Sequence, residues 1–271
     1  SSSSGPGGGA GGETTGVGGS SGDALTLLTV NLWNGAINGD VDERTALVAE
    51  AIQVHAPDFV SLQEVVQSGD LENRAEVLAL ATGYDWHWEK AYEVPFYYEE
   101  GTAVLSRHPI TATERRELPH QDLAGVVRLA VSATATTPFG EVSFVATHTY
   151  VQDDDDKKAD QAHAAWAFVH EHTAPTFIAG DFNAEPDTLA MRFLRGEAEH
   201  QGDVGDLIDG WAATHPGEVG YTHTSDNPDK RIDYIYAPAG VTVTACEHVL
   251  AAPTDGIYAS DHIGVLCRVA M

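Results

Sequence analysis

Apolar runs in this sequence repeatedly break off at side chains that can hold a cation or move a proton. "LLTVN" ends at Asn31, "FVSLQE" at Glu64, "SFVATH" at His148, and "TFIAGDFN" at Asp181 and Asn183. "RIDYIY" sets Asp233 inside an apolar run, and "SDHIGVL" opens with Asp261 and His262. Each has an ordinary explanation when taken alone. Asn31 suits a turn or cap, Glu64 a solvated strand end, and His148 a hydrogen-bonded structural histidine. Asp181 suits an Asx-turn, and Asp233 an ion pair with Arg231. Recurrence changes the weighing, because six separate runs carry such groups, with complementary chemistry.

Glu64 and Asp261 are hard oxygen donors and Asn31 is a neutral one. That set suits Mg²⁺ or Mn²⁺ rather than zinc. Asp181 can orient an attacking water, and Asn183 can donate to a phosphoryl oxygen. His148 and His262 can place imidazolium donors on charge that builds at phosphorus. Asp233 can pair with His262, fixing its tautomer and raising its pKa.

These side chains need strands that end along one sheet edge, where ligand sites of α/β folds lie. The patterns predict strands at 24–33, 58–64, 84–89, 102–106, 110–117, 127–134, 142–148, 176–183, 231–236, 241–249 and 263–269. Helical spacing is expected at 41–55 with Asp40 as N-cap, near 71–80, at 155–172, and in two short pieces at 188–194 and 204–211. "TPFGE" marks a tight turn. Strands in each half with helices between some of them imply an α/β fold, with two sheets face to face and helices outside.

The ordered motifs "VNLWNG", "FVSLQEV", "GTAVLSR", "ATHT", "AGDFNAEPD", "RIDYIY" and "SDH" resemble the endonuclease/exonuclease/phosphatase superfamily over residues 25–269. That group includes pancreatic-type deoxyribonucleases, abasic-site endonucleases, neutral sphingomyelinases and inositol-polyphosphate phosphatases. The resemblance implies a four-layer α/β sandwich of two packed, mixed, mostly antiparallel sheets, and Mg²⁺-dependent hydrolysis of a P–O bond. It implies that Glu64 binds the metal with Asn31 and Asp261 close by, and that Asp181 and Asn183 handle the water and the phosphate. His262, paired with Asp233, is implied as base or transition-state stabiliser, with His148 across the phosphate. A histidine at 148 is similar to the deoxyribonuclease, sphingomyelinase and inositol-phosphatase branches. A binding module that kept the fold without catalysis is the alternative.

Bulk properties bound the partners. Of 271 residues, 41 are Asp or Glu and 14 are Lys or Arg, for a formal charge of −27. Such a surface repels a polyanion, so no stable nucleic-acid partner is expected and the phosphoester could be small, lipid or nucleic acid. A bound dication can still invert the field locally. Residues 1–23 are Ser/Gly-rich and read as a flexible tether, with the catalytic domain at 24–271. The tether suits export and a membrane attachment through the N-terminus; the chain is expected to act as a monomer. Cys246 and Cys267 fall in C-terminal strands and read equally as buried thiols or as a disulfide. Of the lesser features, "DDDDKK" reads as a solvated helix start. The aromatics Tyr92, Phe96, Tyr97 and Tyr98 read as core or as a substrate-facing loop, and Arg107 and Arg128 as candidate phosphate contacts.

Overall fold

Two parallel strand pairs set the frame. The computed structural model describes residues 24–35, 37–122 and 125–271; the expected tether lies outside them. In the first sheet β1 (Ala24–Asn31) runs parallel to β2 (Phe59–Gln67). Its order is completed by β14 (Gly264–Ala270) and β13 (Thr242–Val249) beyond β1, and by β4 (Tyr98–Ser106) and β3 (Asp85–Val94) beyond β2. In the second sheet β7 (Gly140–His148) runs parallel to β8 (Thr176–Asp181). Flanking them are β6 (Val127–Thr137) and β5 (Ile110–Gln121) on one side, and β12 (Asp233–Ala237) and β11 (Ile208–Asp209) on the other. A small ladder joins β9 (Glu199–His200) to β10 (Asp203–Val204).

Central strands are apolar on both faces, as strands covered on both sides must be. Along β1, Leu25 and Leu27 face the second sheet, while Leu28 and Val30 face helices. Between the sheets lie Phe59, Val104, Phe144, Phe177 and Ile235, with Phe59 and Phe144 stacked at 5.4 Å. Each such aromatic is stabilising by about 1.5–3 kcal/mol relative to exposure. α1 (Val41–His55) and α2 (Arg74–Thr82) cover the outer face of the first sheet through Val48, Ile52 and Leu78. α3 (Asp155–Glu171) and α4 (Leu189–Leu194) cover the second through Phe168, Met191 and Phe193. The result is the expected four-layer sandwich.

Several local expectations are corrected. Asp40 takes the N-cap position of α1, but its backbone is left-handed and its side chain makes no cap bond. Asp154 does cap α3, accepting from the Lys157 N–H, so "DDDDKK" is the start of a helix with acid at the positive end of its dipole. The helix expected at 204–211 is absent. Gly205 packs against the carbonyls of Phe193 and Leu194, and the Leu207 N–H bonds the Leu194 carbonyl, which draws this stretch out straight. A short helix, α5 (Gly210–Thr214), starts only after Asp209, whose carboxylate caps it through the Ala212 N–H. Cys246 and Cys267 face each other on β13 and β14 and form a disulfide beside Gly210. Phe96 and Tyr97 are not core: they stand exposed at the β3–β4 hairpin.

Candidate active site

Strand register does much of the assembly. His148 ends β7 opposite Asp181, which ends β8, and Asp181 is opposite Asp233 at the start of β12. Three chemical groups from distant sequence thus stand in one row. Gly180 makes this approach close. A Cβ there would overlap the Thr147 carbonyl oxygen, and its φ of +154° is glycine territory.

Asn31 ends β1 in the facing sheet and ties the two sheets together. Its Nδ2 donates to Asp181 Oδ2 and to Glu64 Oε1, each at 3.1 Å. Its Oδ1 accepts from the Trp33 N–H at 2.9 Å, which leaves one lone pair.

Glu64 is not at a strand end, as the sequence suggested. β2 continues to Gln67, and Glu64 sits at a bulge where Gln63 and Glu64 face one residue of β4. Its left-handed backbone (φ 54°) turns the carboxylate toward the cleft, where Oε2 accepts from the Asn34 N–H at 2.7 Å. Asp233, expected inside a strand, opens β12. Arg231 pairs with Asp209 instead, leaving Asp233 to His262.

His262 is 5% exposed, and its Nδ1 lies 2.9 Å from Asp233 Oδ2. Its Nε2 points between Asp181 Oδ2 at 3.8 Å and Asp261 Oδ1 at 3.9 Å. His148 Nε2 approaches Asp181 from the other side at 3.5 Å. The Asp181 Oδ1 accepts from the Asn183 N–H at 2.8 Å, so the Asx-turn exists and also aims the other carboxylate oxygen. Asn183 donates one amide proton to the Thr149 carbonyl and keeps the other. Glu64, His148, Asp181, Asn183, Asp261 and His262 line one cleft of about 890 Å³, with Asn31 and Asp233 bonded directly behind.

Burial and mutual charge move the pKa values apart. Burial opposes a charged His262, but Asp233, Asp181 and Asp261 outweigh it and raise the ring to about 10. Burial, with Arg128 and His262 nearby, pushes His148 well below the ordinary histidine value. Of the two expected imidazolium donors, the surroundings favour the charge on His262 and disfavour it on His148. Burial, together with Asp233 and Glu64, pushes Asp181 up to about 7. Asp261 is also raised, by burial and then by Glu64.

Three residues of the cleft and its support were not among the expected site residues, although Glu100 reads in the sequence as one of the polar interruptions of a substrate-facing loop. Glu100, buried at the start of β4, accepts from Asn34 Nδ2 and from the Tyr92 hydroxyl. Burial and the neighbouring Glu64 raise it to about 7. Arg44, buried in α1, donates to the carbonyls of Leu32, Trp33, Asn38 and Gly39 and so holds the turn that carries Asn34. His223 joins the cleft wall from a polar loop, its ring 4.8 Å from that of His262. Arg107 drops out as a phosphate contact, since it pairs with Asp58 at the far end of β4. Arg128 lines the cleft and pairs with Asp122.

The donor set fits a hard dication. The Glu64 charge raises the proton affinity of Glu100, Asp181 and Asp261. Among the described residues none of them has a Lys or Arg within 4.0 Å. Clustered carboxylates that no Lys or Arg pairs, with His262 the one charged group beside Asp181 and Asp261, carry negative charge that an oxygen-liganded dication would balance.

Comparison with known proteins agrees with this geometry. The endonuclease/exonuclease/phosphatase family model matches residues 28–262. No curated protein sequence matches. Among solved structures, a family protein from Leptotrichia buccalis superposes with a TM-score of 0.73 at 22% identity, covering 92% of this chain and 100% of that one. A family protein from Beutenbergia cavernae gives 0.72 at 23%, covering 92% and 72%. The human Nocturnin catalytic domain with bound sulfate gives 0.71 at 19%, covering 92% and 93%. The family match takes in both sheets and the cleft, and the chain belongs to the endonuclease/exonuclease/phosphatase family, whose members are generally metal-dependent phosphoesterases and nucleases.

Proposed function

We propose that the chain is a divalent-metal-dependent phosphodiesterase, with Mg²⁺ or Mn²⁺ held by Glu64 and Asp261 beside Asn31. The observation that carries this reading is the Asn31 bridge. One amide joins the acidic donor Glu64 to the water-orienting Asp181, with the His262–Asp233 pair 3.8 Å further on. When bound, the dication supplies charge to a phosphoryl oxygen. The chain's own residues do the rest. Asp181, with its raised pKa, holds the attacking water and takes its proton. The His262 cation, fixed by Asp233, meets negative charge on the equatorial oxygens. Asn183 offers its free amide proton to the same phosphoryl group, and neutral His148 hydrogen-bonds it from the opposite wall.

A small phosphodiester fits better than a long polyanion. The cleft rim carries Asp153, Asp155 and Glu185 against Lys158 and Lys230, on a chain of formal charge −27. The disulfide supports export, because such bonds persist in oxidising compartments. Attachment to a membrane through residues 1–23 and action as a monomer complete the proposal. No helix among the described residues is long and apolar enough to cross a membrane.

The test is hydrolysis of bis-p-nitrophenyl phosphate with Mg²⁺ or Mn²⁺, with and without chelator, beside plasmid DNA, sphingomyelin and inositol phosphates. Turnover abolished by chelator and restored by the dication is expected. Turnover that ignores the chelator would remove the metal from the mechanism. Inertness toward every phosphoester would leave the non-catalytic binding module.

A further inference from the structure

His223 has no role in the scheme above, yet backbone pairing sets it against the catalytic pair. It bridges to His262 and to Lys230, and the Ile263 N–H bonds the Thr222 carbonyl next door. The ring packs against that of His262 and, among the described residues, makes no hydrogen bond. Its Nδ1 is buried without a hydrogen-bond partner, and its Nε2 lies 3.9 Å from Asp261 Oδ2, beyond bonding distance. An orphaned buried N–H is rarer than an unused lone pair, so the ring proton belongs on Nε2, at the cleft. No change of charge is needed for that donor.

Its position gives the donor a direction. Asp181 and Asp233 cluster with His262 in one compact group, while His223 and Asp261 cluster with His262 in another. The Asp261 carboxylate faces the Nε2 atoms of both packed rings, Oδ1 at 3.9 Å from His262 and Oδ2 at 3.9 Å from His223. His223 thus joins His262 on the Asp261 side, and Asp181 joins it on the Asp233 side. A water held by Asp181 attacks phosphorus in line, so the departing oxygen leaves on the far flank. We infer that His223 donates a hydrogen bond from Nε2 to the leaving-group oxygen of the phosphodiester. The water oxygen forms the new P–O bond and gives its proton to Asp181. The old P–O bond breaks with its electron pair on the leaving oxygen, which accepts the His223 N–H and takes its proton from bulk water.

This inference rests on the phosphodiesterase reading and extends it to a substrate contact. The experiment compares p-nitrophenyl, p-chlorophenyl and phenyl methyl phosphates under saturating Mn²⁺. His223→Phe keeps the ring against His262 and removes the donor; His223→Gln replaces the donor. For His223→Phe the loss in kcat should be small with p-nitrophenyl, whose oxygen needs little help. It should grow roughly ten- to a hundredfold by phenyl. His223→Gln should recover part of the difference and flatten the dependence on leaving group. An active enzyme in which His223→Phe loses the same factor across the series, or loses nothing, overturns the inference and leaves the phosphodiesterase reading standing. A wild-type chain inert on all three esters overturns both. Should His223→Phe fail to fold, the wild-type to His223→Gln comparison decides: a slope steeper than wild type but no slower on p-nitrophenyl supports the contact, and an unchanged slope refutes it.

Discussion

Asp233→Asn isolates the contribution of one buried carboxylate. Asp233 is 3% exposed, and among the described residues its side chain has one hydrogen-bond partner, His262 Nδ1 at 2.9 Å; Oδ1 has none. The three surrounding carboxylates hold His262 near 10 instead of 6.5 against its burial. At 1.36 kcal/mol per unit, that is on the order of 5 kcal/mol favouring the cation, with Asp233 the largest contributor. Other groups facing the ring are Asp181, Asp261, His148 and His223. A dication on Glu64 and Asp261 cancels the Asp261 part and leaves that of Asp233.

The sign follows from the raised pKa. In the wild type the cation persists from acid pH up toward 10. In Asp233→Asn the largest raising charge is gone, burial weighs more against Asp181 and Asp261, and the ring loses its proton at lower pH than in the wild type. The stabilisation that the pair gives the fold is likewise complete below about 6.5 and is lost as pH climbs toward 10. Turnover of bis-p-nitrophenyl phosphate at saturating Mn²⁺ should therefore drop about 10²- to 10⁴-fold at neutral pH. The ratio of wild-type to variant rate should widen between acid and mildly alkaline pH. A ratio that stays flat, or a variant within a few-fold of wild type at neutral pH, refutes the assignment of His262 as the cation.

Three further outcomes follow from other parts of the structure. Because Asp261, Asp181 and Glu100 bind protons more tightly than ordinary carboxylates, protons compete with the dication. The rise in Tm caused by Mn²⁺ should be larger in mildly alkaline than in mildly acid buffer and should nearly vanish in Glu64→Gln; equal rises would contradict the site. Replacing both Cys246 and Cys267 by Ala should lower stability by about 3 kcal/mol in urea titrations, as expected for a loop of this length; a change below about 1 kcal/mol would show that the bridge constrains little. Gly180→Ala should cost about 3 kcal/mol or more, through overlap with the Thr147 carbonyl and the loss of a glycine-only backbone angle, and should slow turnover by shifting Asp181; wild-type stability in that variant would show that β7 and β8 can part at no cost.

How far the site could be read in advance depended on how each residue is presented. Asn31, His148 and Asp181 close the buried runs of β1, β7 and β8, and a buried strand can only stop at such groups where something satisfies them. Glu64 looked the same for the wrong reason. Its strand does not stop; a bulge turns one residue out, and no local pattern in "FVSLQEV" announces a bulge fixed by the partner strand. Glu100 sits among Tyr97, Tyr98 and Glu99, where exposed and buried positions look alike until the hairpin register is known. His223 lies in "YTHTSDNPDK", a polar loop with no apolar run before it, and only its bridge to His262 gives it a place. The helix expected at 204–211 failed because packing against α4 overrode local spacing. The layers were legible because they rest on long apolar runs; the finer aim of side chains rests on register.

The two cleft histidines show why composition is a poor guide to chemistry here. His148 and His262 lie on either side of the same Asp181 oxygen, at 3.5 and 3.8 Å. What separates them is what stands behind each ring. Asp233 backs His262, while Arg128 lies on the His148 side and disfavours a second cation. Burial disfavours charge on both rings; Arg128 adds to it at His148, while Asp233, with Asp181 and Asp261, overcomes it at His262, and on the proposed reading that difference divides an apparently symmetric pair into a cation and a neutral donor. The chain's overall charge acts at longer range and is screened beyond about 8 Å in physiological salt. On the proposed reading a strongly acidic protein can therefore receive an anionic phosphorus centre, because within that distance the groups that matter would be His262, the second amide proton of Asn183, and a cation held by Glu64 and Asp261.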